Sequence, residues 1–312
     1  MAERIFVTGA TGVVGSHVVP ELVRLGHHVT AVGRSEEKRA ALIKLGADAV
    51  ASPSDANGRI SAALAAKVLE GHSIVINLAT HMPPSTTKML LPWEWKENDR
   101  IRREDSSAFV DAALAAGVRK FVQESFAPLY DDAGDQWIDE SFPMRPARYN
   151  RTVLDAEHSA ARFTEAGGVG IVVRYGAFYG PDALLKDMIG IVRRGWSPLP
   201  GRGNAFISSL AHEDAATATV SVAINNIAAG IYNVTDDEPL RRSEWVQTLA
   251  RTVGAPPPKL LPTWVTKLGG SGMELLSRSV RMTNVKLKRA TGWSPKFRSA
   301  REGLAEAARL VK

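Results

Sequence analysis

The stretch RIFVTGATGVVG, residues 4–15, limits what this 312-residue chain can fold into more than any other. Ile5, Phe6 and Val7 form a short apolar run that reads as a buried strand. Apolar positions then recur at helical spacing through Val14, Val18, Val19, Leu22 and Leu25. Between strand and helix stand glycines at 9, 12 and 15. Gly9 permits a sharp turn off the strand, Gly12 a close approach of backbone N–H groups to a ligand, and Gly15 close packing of helix on sheet. The helix start then presents free amides and partial positive charge, which suits a phosphate. Strand, turn and helix in this register predict a pocket for the pyrophosphate of a dinucleotide, whereas glycine spacing alone would also fit an ordinary strand-to-helix turn.

The alternation continues. Strands are expected at 28–32, 47–51, 73–78, 120–123 and 169–174, and helices at 35–45, 62–69, 108–116 and 151–164. That pattern predicts an α/β fold of the Rossmann type: a doubly wound parallel sheet, right-handed crossovers, and a ligand crevice at the carboxyl ends of the strands. Pro20, two turns into the first helix, predicts a bend there. After residue 180 the pattern loosens into helices at 184–194, 213–224, 243–252 and 301–310, separated by Pro- and Gly-rich loops. The expectation is a dinucleotide-binding domain over 1–180 and a smaller, mostly helical substrate lobe over 181–312, partly interleaved with it. The connection HMPPSTTKMLLPWEWKEN, residues 81–98, carries Met82, Met89, Leu90, Leu91, Trp93 and Trp95. It reads either as a lid or as an irregular piece packed on the core.

Apolar residues make up 45% and charged residues 23%, which suits a globular protein, and no run reaches membrane-spanning length. Met1 leads almost directly into the first strand, so a cytoplasmic location is expected. The absence of cysteine excludes disulfides, thiol catalysis and thiolate metal ligation. The net charge of +6 is spread in ones and twos, which favours small anionic ligands over nucleic acid or a membrane surface. His81 and His212 have no partner at metal-ligand spacing, so no metal site is expected.

The end of the second strand decides the nucleotide. Instead of an acidic residue for the ribose hydroxyls, the chain has Gly33-Arg34-Ser35, with Lys38 one helical turn on. Arg34 can fork onto a 2′-phosphate and Lys38 adds a second positive charge, so NADP (NADPH) is expected over NAD.

Together the TGATGVVG turn, Asn77-Leu78-Ala79-Thr80, RYGAFYGP over 174–181, Tyr232-Asn233-Val234 and Gly292-Trp293-Ser294-Pro295 resemble the extended or atypical short-chain dehydrogenase/reductase superfamily, in its NAD-dependent epimerase/dehydratase branch. The resemblance implies that Gly9, Thr11, Gly12, Val13 and Val14, with Leu78, Ala79 and Thr80, hold the dinucleotide, and that the Tyr175–Phe178 segment holds the nicotinamide through its backbone. Members pair a Ser or Thr after the fifth strand with Tyr-x-x-x-Lys on the next helix. Tyr149 matches the tyrosine and Glu157 a common acidic position, but the lysine position is Val153. Counting back from Tyr130, the hydroxyl position falls on Phe126, with Ser125 one residue earlier. Ser125 is thus either the carbonyl anchor or a turn-stabilising serine. Tyr149 is either the proton donor or a helix-start residue with no chemical role.

A tyrosine near its reference pKa of about 10 is only about one part in a thousand phenolate at neutral pH. Oxidation needing a base would suffer, whereas in reduction the neutral phenol is already the required acid. The expected activity is therefore NADPH-dependent reduction of a carbonyl on a fairly apolar small molecule, with Trp93, Trp95, Phe126 and Trp137 lining its site. Two other readings stay open: a non-redox isomerase, epimerase or lyase that keeps the nucleotide as scaffold or transient hydride carrier, and a nucleotide-sensing binding protein. Glu124, Tyr130, Asp131 and Asp132 are candidates for acid/base chemistry without hydride transfer. The resemblance also implies a homodimer, formed through the two helices that precede and carry the tyrosine.

Overall fold

In the computed structural model the described residues are 2–83, 88, 91–147, 150–260 and 270–311. The first half runs β1 (Arg4–Thr8), α1 (Gly15–Arg24), β2 (His28–Val32), α2 (Glu36–Lys44), β3 (Asp48–Val50), α3 (Ala62–Leu69) and β4 (Ile74–Asn77). A 3-10 turn at Pro92–Trp95 then leads into α4 (Lys96–Arg100), a π turn at Ile101–Asp105 and α5 (Ser106–Ala115). β5 (Lys120–Phe126), the short β6 (Trp137–Ile138), α6 (Val153–Glu165) and β7 (Val169–Tyr175) follow. β8 (Ala177–Tyr179), α7 (Ala183–Arg193), β9 (Phe206–Ile207), β10 (Ser209–Ala211), α8 (His212–Ile224), β11 (Gly230–Val234), β12 (Leu240–Arg241) and α9 (Arg242–Thr252) come next. Helices at Gly270–Ser277, Val285–Thr291 and Ala300–Leu310 flank the last short strand, β13 (Arg281–Met282).

Seven parallel strands among the described residues form one sheet in the order β11-β7-β5-β4-β1-β2-β3. The chain winds outward from β1 to β3, then crosses to the other side of β1 and winds outward again from β4. The strand order therefore reverses between β1 and β4, and in sheets of this kind that is where a crevice opens beyond the carboxyl ends. Alternation along β1 explains the two covered faces: Ile5 and Val7 join Val18, Val19 and Leu22 of α1 and the alanine-rich α8, while Phe6 joins Leu69 of α3 and Phe109 and Val110 of α5. Helix α1 begins at Gly15, one residue after Val14, the first of its periodic apolar positions, and runs unbroken through Pro20.

The strand expected at residues 169–174 does not end the sheet, because β11 pairs alongside β7 with Asn233 opposite Arg174. The sheet thus takes its last strand from beyond residue 180. Around it, α7, α9 and the helix Ala300–Leu310 build a separate core from Leu185, Ile189, Trp245, Leu249 and Leu304. Among the described residues two short strand pairs, β8 with β10 and β6 with β13, join segments from before and after residue 180, while β9 pairs with β12 within the later part of the chain.

Candidate active site

The loops after β1, β2 and β4 enclose a cleft of 410 Å³ at the reversal point, lined by Gly9, Thr11, Gly12, Arg34, Lys38, Leu78, Ala79 and Thr80 among others. Gly9 has φ +63°, and a Cβ there would collide with the Leu78 carbonyl; a Cβ at Gly15 would collide with the Gly9 carbonyl. The turn closes with the Gly12 N–H donating to Gly9 O at 2.9 Å, and no side chain caps the start of α1. A helix start that no side chain caps suits an anion, and the glycines of the turn keep side chains out of its way. These features fit the pyrophosphate of a dinucleotide. Val13 is exposed and Val14 is buried in the core beneath the turn; neither lines the cleft.

Under the cleft the loops are pinned by buried polar contacts. Thr8 Oγ1 donates to Asn77 Oδ1 at 2.5 Å, and Asn77 Nδ2 donates to Gln123 Oε1 at 2.8 Å. At the far end, Ser35 caps α2 by accepting the Lys38 N–H. Arg34 and Lys38 have no ion-pair partner among the described residues, although both face the cleft. The acids that share it, Glu97 and Asp105, are both held by Arg100 at 2.9 and 2.7 Å. The cleft's free charge is positive.

A second constellation lies at the carboxyl ends of β5 and β7. Arg174 forks onto Glu157 (2.8 and 2.7 Å), and its Nη1 donates to Tyr130 Oη, which donates in turn to Asn233 Oδ1, both at 2.8 Å. Ser125 donates its hydroxyl proton to Glu157 at 2.5 Å, is buried, and lines neither cavity described here. Its oxygen therefore offers only lone pairs unless that bond is exchanged. Burial pushes the Tyr130 hydroxyl up to about 12 against the opposing pull of Arg174. Arg102 forks in the same manner onto Glu124 (3.0 and 3.1 Å), so Glu124 is a buried ion-pair partner rather than a free acid. Asp131 and Asp132 pair with Arg145 and Arg202 at the surface. Val153 is fully buried in an apolar cluster with Ala127, Leu129, Ile138 and Met282. Tyr149 lies outside the described residues, as do Arg148, Met89 and Leu90.

Beyond these groups the lobe and the sheet enclose a larger, mostly apolar cavity of 460 Å³, lined by Met82, Trp95, Phe126, Phe178, Met188, Trp196, Phe206, Trp245, Leu275 and Met282 among others. Trp95 and Phe126 line it as expected. Trp93 and Trp137 do not: Trp93 is 59% exposed, and Trp137 lies under the Arg281 guanidinium, 4.2 Å from its ring centre. The Tyr175 hydroxyl is consumed by Thr219 at 2.6 Å, so only the backbone of that residue is available to a ligand. The backbone N–H of His81 donates to Asn98 Oδ1, and His212 packs edge-on to Phe178 beside Asp182.

Two arginines line the cavity, and the sequence reading singled out neither. Arg278 is spent on Glu274 and on two backbone carbonyls. The Arg242 guanidinium makes one hydrogen bond among the described residues, Nη2 to Arg278 O at 2.7 Å, and its Nε is buried without an acceptor. Burial pushes this guanidinium down to about 10.

Residues 9–178 match the family model described as NAD(P)H-binding. A curated relative from a Streptomyces species, the 3-diazoavenalumate denitrifying reductase, is 32% identical over 96% of this chain and 99% of its own. Among solved structures, the Thermus thermophilus UDP-glucose 4-epimerase in complex with NAD superposes with a TM-score of 0.75 at 21% identity, covering 98% of both chains. The human epimerase family protein SDR39U1 with NADPH gives 0.76 at 20% identity, covering 98% of this chain and 99% of that one.

Proposed function

This chain belongs to the NAD(P)H-binding family, within the extended short-chain dehydrogenase/reductase superfamily, and from that premise we propose that it is an oxidoreductase that uses NADPH to reduce a small, largely apolar substrate. The observation that carries the reading is the cleft at the β1–β4 reversal, where the Gly9–Gly12 turn leading into the uncapped α1 at one end and two cations without an ion-pair partner among the described residues, Arg34 and Lys38, at the other suit a pyrophosphate and a 2′-phosphate. Bound there, the nucleotide supplies a hydride.

The chain's own residues do the rest. Tyr149 donates the proton. The position four residues on is an apolar valine sealed in a cluster, so no ammonium at that position draws the phenol toward phenolate; the neutral acid is the form a reduction needs. Ser125, which lines neither cavity, would anchor the substrate oxygen by giving up its bond to Glu157 as the wall beside Phe126 opens toward it. The apolar cavity holds the substrate body and keeps water from it. A carbonyl is the acceptor this chemistry suits best; the Streptomyces relative, whose name specifies a diazo compound and loss of nitrogen, supports a diazo group as the second class. The reading also carries a cytoplasmic location, a substrate lobe over 181–312 and a homodimer.

The test is NADPH absorbance across a panel of apolar carbonyl and aryl diazo compounds. Consumption is expected with at least one class, slowed about 100-fold or more in Tyr149→Phe with NADPH affinity unchanged. Turnover without net NADPH loss would instead establish an isomerase or lyase, and tight NADPH binding with no turnover a sensor. Ser125→Ala separates its roles: an anchor lowers kcat, whereas a partner of Glu157 alone lowers only stability.

A further inference from the structure

Buried arginines in this fold come with their own carboxylates. Arg102 has Glu124, Arg174 has Glu157 and Arg278 has Glu274, each gripped through two nitrogens. Arg242, first residue of α9 and only 4% exposed, breaks the pattern, because no carboxylate pairs with it among the described residues. The acid that most influences it, Asp132, is held by Arg202. A guanidinium removed from water and left without a counter-charge is strongly unfavourable unless something else supplies one. Arg242 lines the 460 Å³ cavity, among Phe178, Met188, Trp196 and Trp245.

We infer that Arg242 is the anion-binding end of the substrate site, and that the natural substrate is an apolar molecule bearing a single carboxylate. This rests on the reading of that cavity as the substrate pocket. The chemistry narrows the anion. Of the two arginines that line the cavity among the described residues, Arg242 has donors to spare while those of Arg278 are spent, and the remaining described walls are overwhelmingly apolar. One charge and one planar fork match a carboxylate, whereas a diphosphate would need more cations and more polar donors than the cavity holds. The carboxylate completes in the complex the pairing that the fold builds internally for the other three.

The experiment compares trans-cinnamate with its methyl ester, titrated into the NADPH-loaded protein and followed by calorimetry. The acid is expected to bind at least about tenfold tighter than the ester. Arg242→Met should abolish that preference, and Arg242→Lys, which keeps the charge but loses the fork, should retain part of it. NADPH affinity should be the same in all three proteins, which also reports that the variants fold. Equal affinity for acid and ester, binding of neither, or a preference that survives Arg242→Met would overturn the assignment. Failure of NADPH itself to bind would remove the nucleotide reading instead, and the acid–ester comparison on the nucleotide-free protein would still decide the anion site.

Discussion

The two cavities, similar in size at 410 and 460 Å³, are built by different means. One wall of the nucleotide cleft is the Gly9–Gly12 turn and the Leu78–Thr80 loop, where glycines bring main chain to the surface, and side chains such as Arg34, Lys38, Ile60 and Phe109 close the rest. Its specificity needs little more than two cations at one end. The apolar cavity is walled by side chains that reach it from Met82 through Met282, on the sheet, the lobe helices and the loops between them. A backbone-built wall is written in a few contiguous residues and is intolerant of any added atom. A side-chain-built site is dispersed, and exchanging one wall residue reshapes it without destroying it.

The sharpest way to break this contrast is Gly9→Ala, one methyl group in the wall of the nucleotide cleft. At φ +63° the new Cβ is strained, and it runs into the Leu78 carbonyl, which is main chain and cannot turn aside. Strain of about 3 kcal/mol falls on the turn that holds the pyrophosphate, so NADPH affinity should drop by ~100-fold or more by calorimetry. An affinity within a factor of three of the parent's would mean that the turn does not carry the nucleotide, and the contrast between the two cavities would fall.

The same contrast explains what was legible in the sequence. β2 and α3 lie where periodicity put them, and the strands expected at 73–78 and 169–174 differ from β4 and β7 by a residue or two, because their buried faces are apolar. The helical run from Pro92 to Ala115 was placed only from 108 onward. Its inward face is Asn98, Arg102, Asp105 and Ser106, and these bond to His81, Glu124, Ile60 and Asn77 from outside the run. A buried polar face has no hydrophobic period, so periodicity predicts no helix over residues 96–105, and Glu124 reads as a candidate acid. Arg241 and Arg242 make the point in miniature. They are neighbours of one chemistry, yet Arg241 pairs with Asp135 at the surface while Arg242 enters the cavity wall.

Arg34→Ala sharpens the comparison within the cleft itself. If backbone grips the pyrophosphate and side chains read only the 2′-phosphate, the variant should lose NADPH affinity by ~10-fold or more while NADH affinity changes less than about twofold. Titration of both nucleotides into parent and variant gives the ratio. Equal losses for the two would show that Arg34 serves the fold of the β2 loop rather than the phosphate.

The smallest expected effect concerns the lobe that walls the apolar cavity. Asp236, just beyond β11, accepts the Ala300 N–H at 3.1 Å at the start of the helix Ala300–Leu310, and its other oxygen is buried without a partner. Burial, with Asp237, Asp214 and Glu238 adding like charge, holds this carboxyl well above the usual carboxylate range, so the folded protein favours its neutral form. A raised folded-state pKa means that the folded chain binds the proton more tightly than the unfolded one. Its contribution to stability is full below the ordinary carboxylate pKa of about 3.9 and is lost as pH rises through the folded value. Asparagine keeps an acceptor for the Ala300 N–H and removes the charge. Asp236→Asn should therefore melt higher than the parent at pH 8, by a few degrees for ~1 kcal/mol in a chain of this length, and the gap should close as pH is lowered toward 4. The difference between the two melting curves isolates this carboxyl from the others that titrate with it. A gap that stays constant with pH, or a variant that melts lower at pH 8, would mean that Asp236 is ionised in the fold and that the lobe is anchored by its charge.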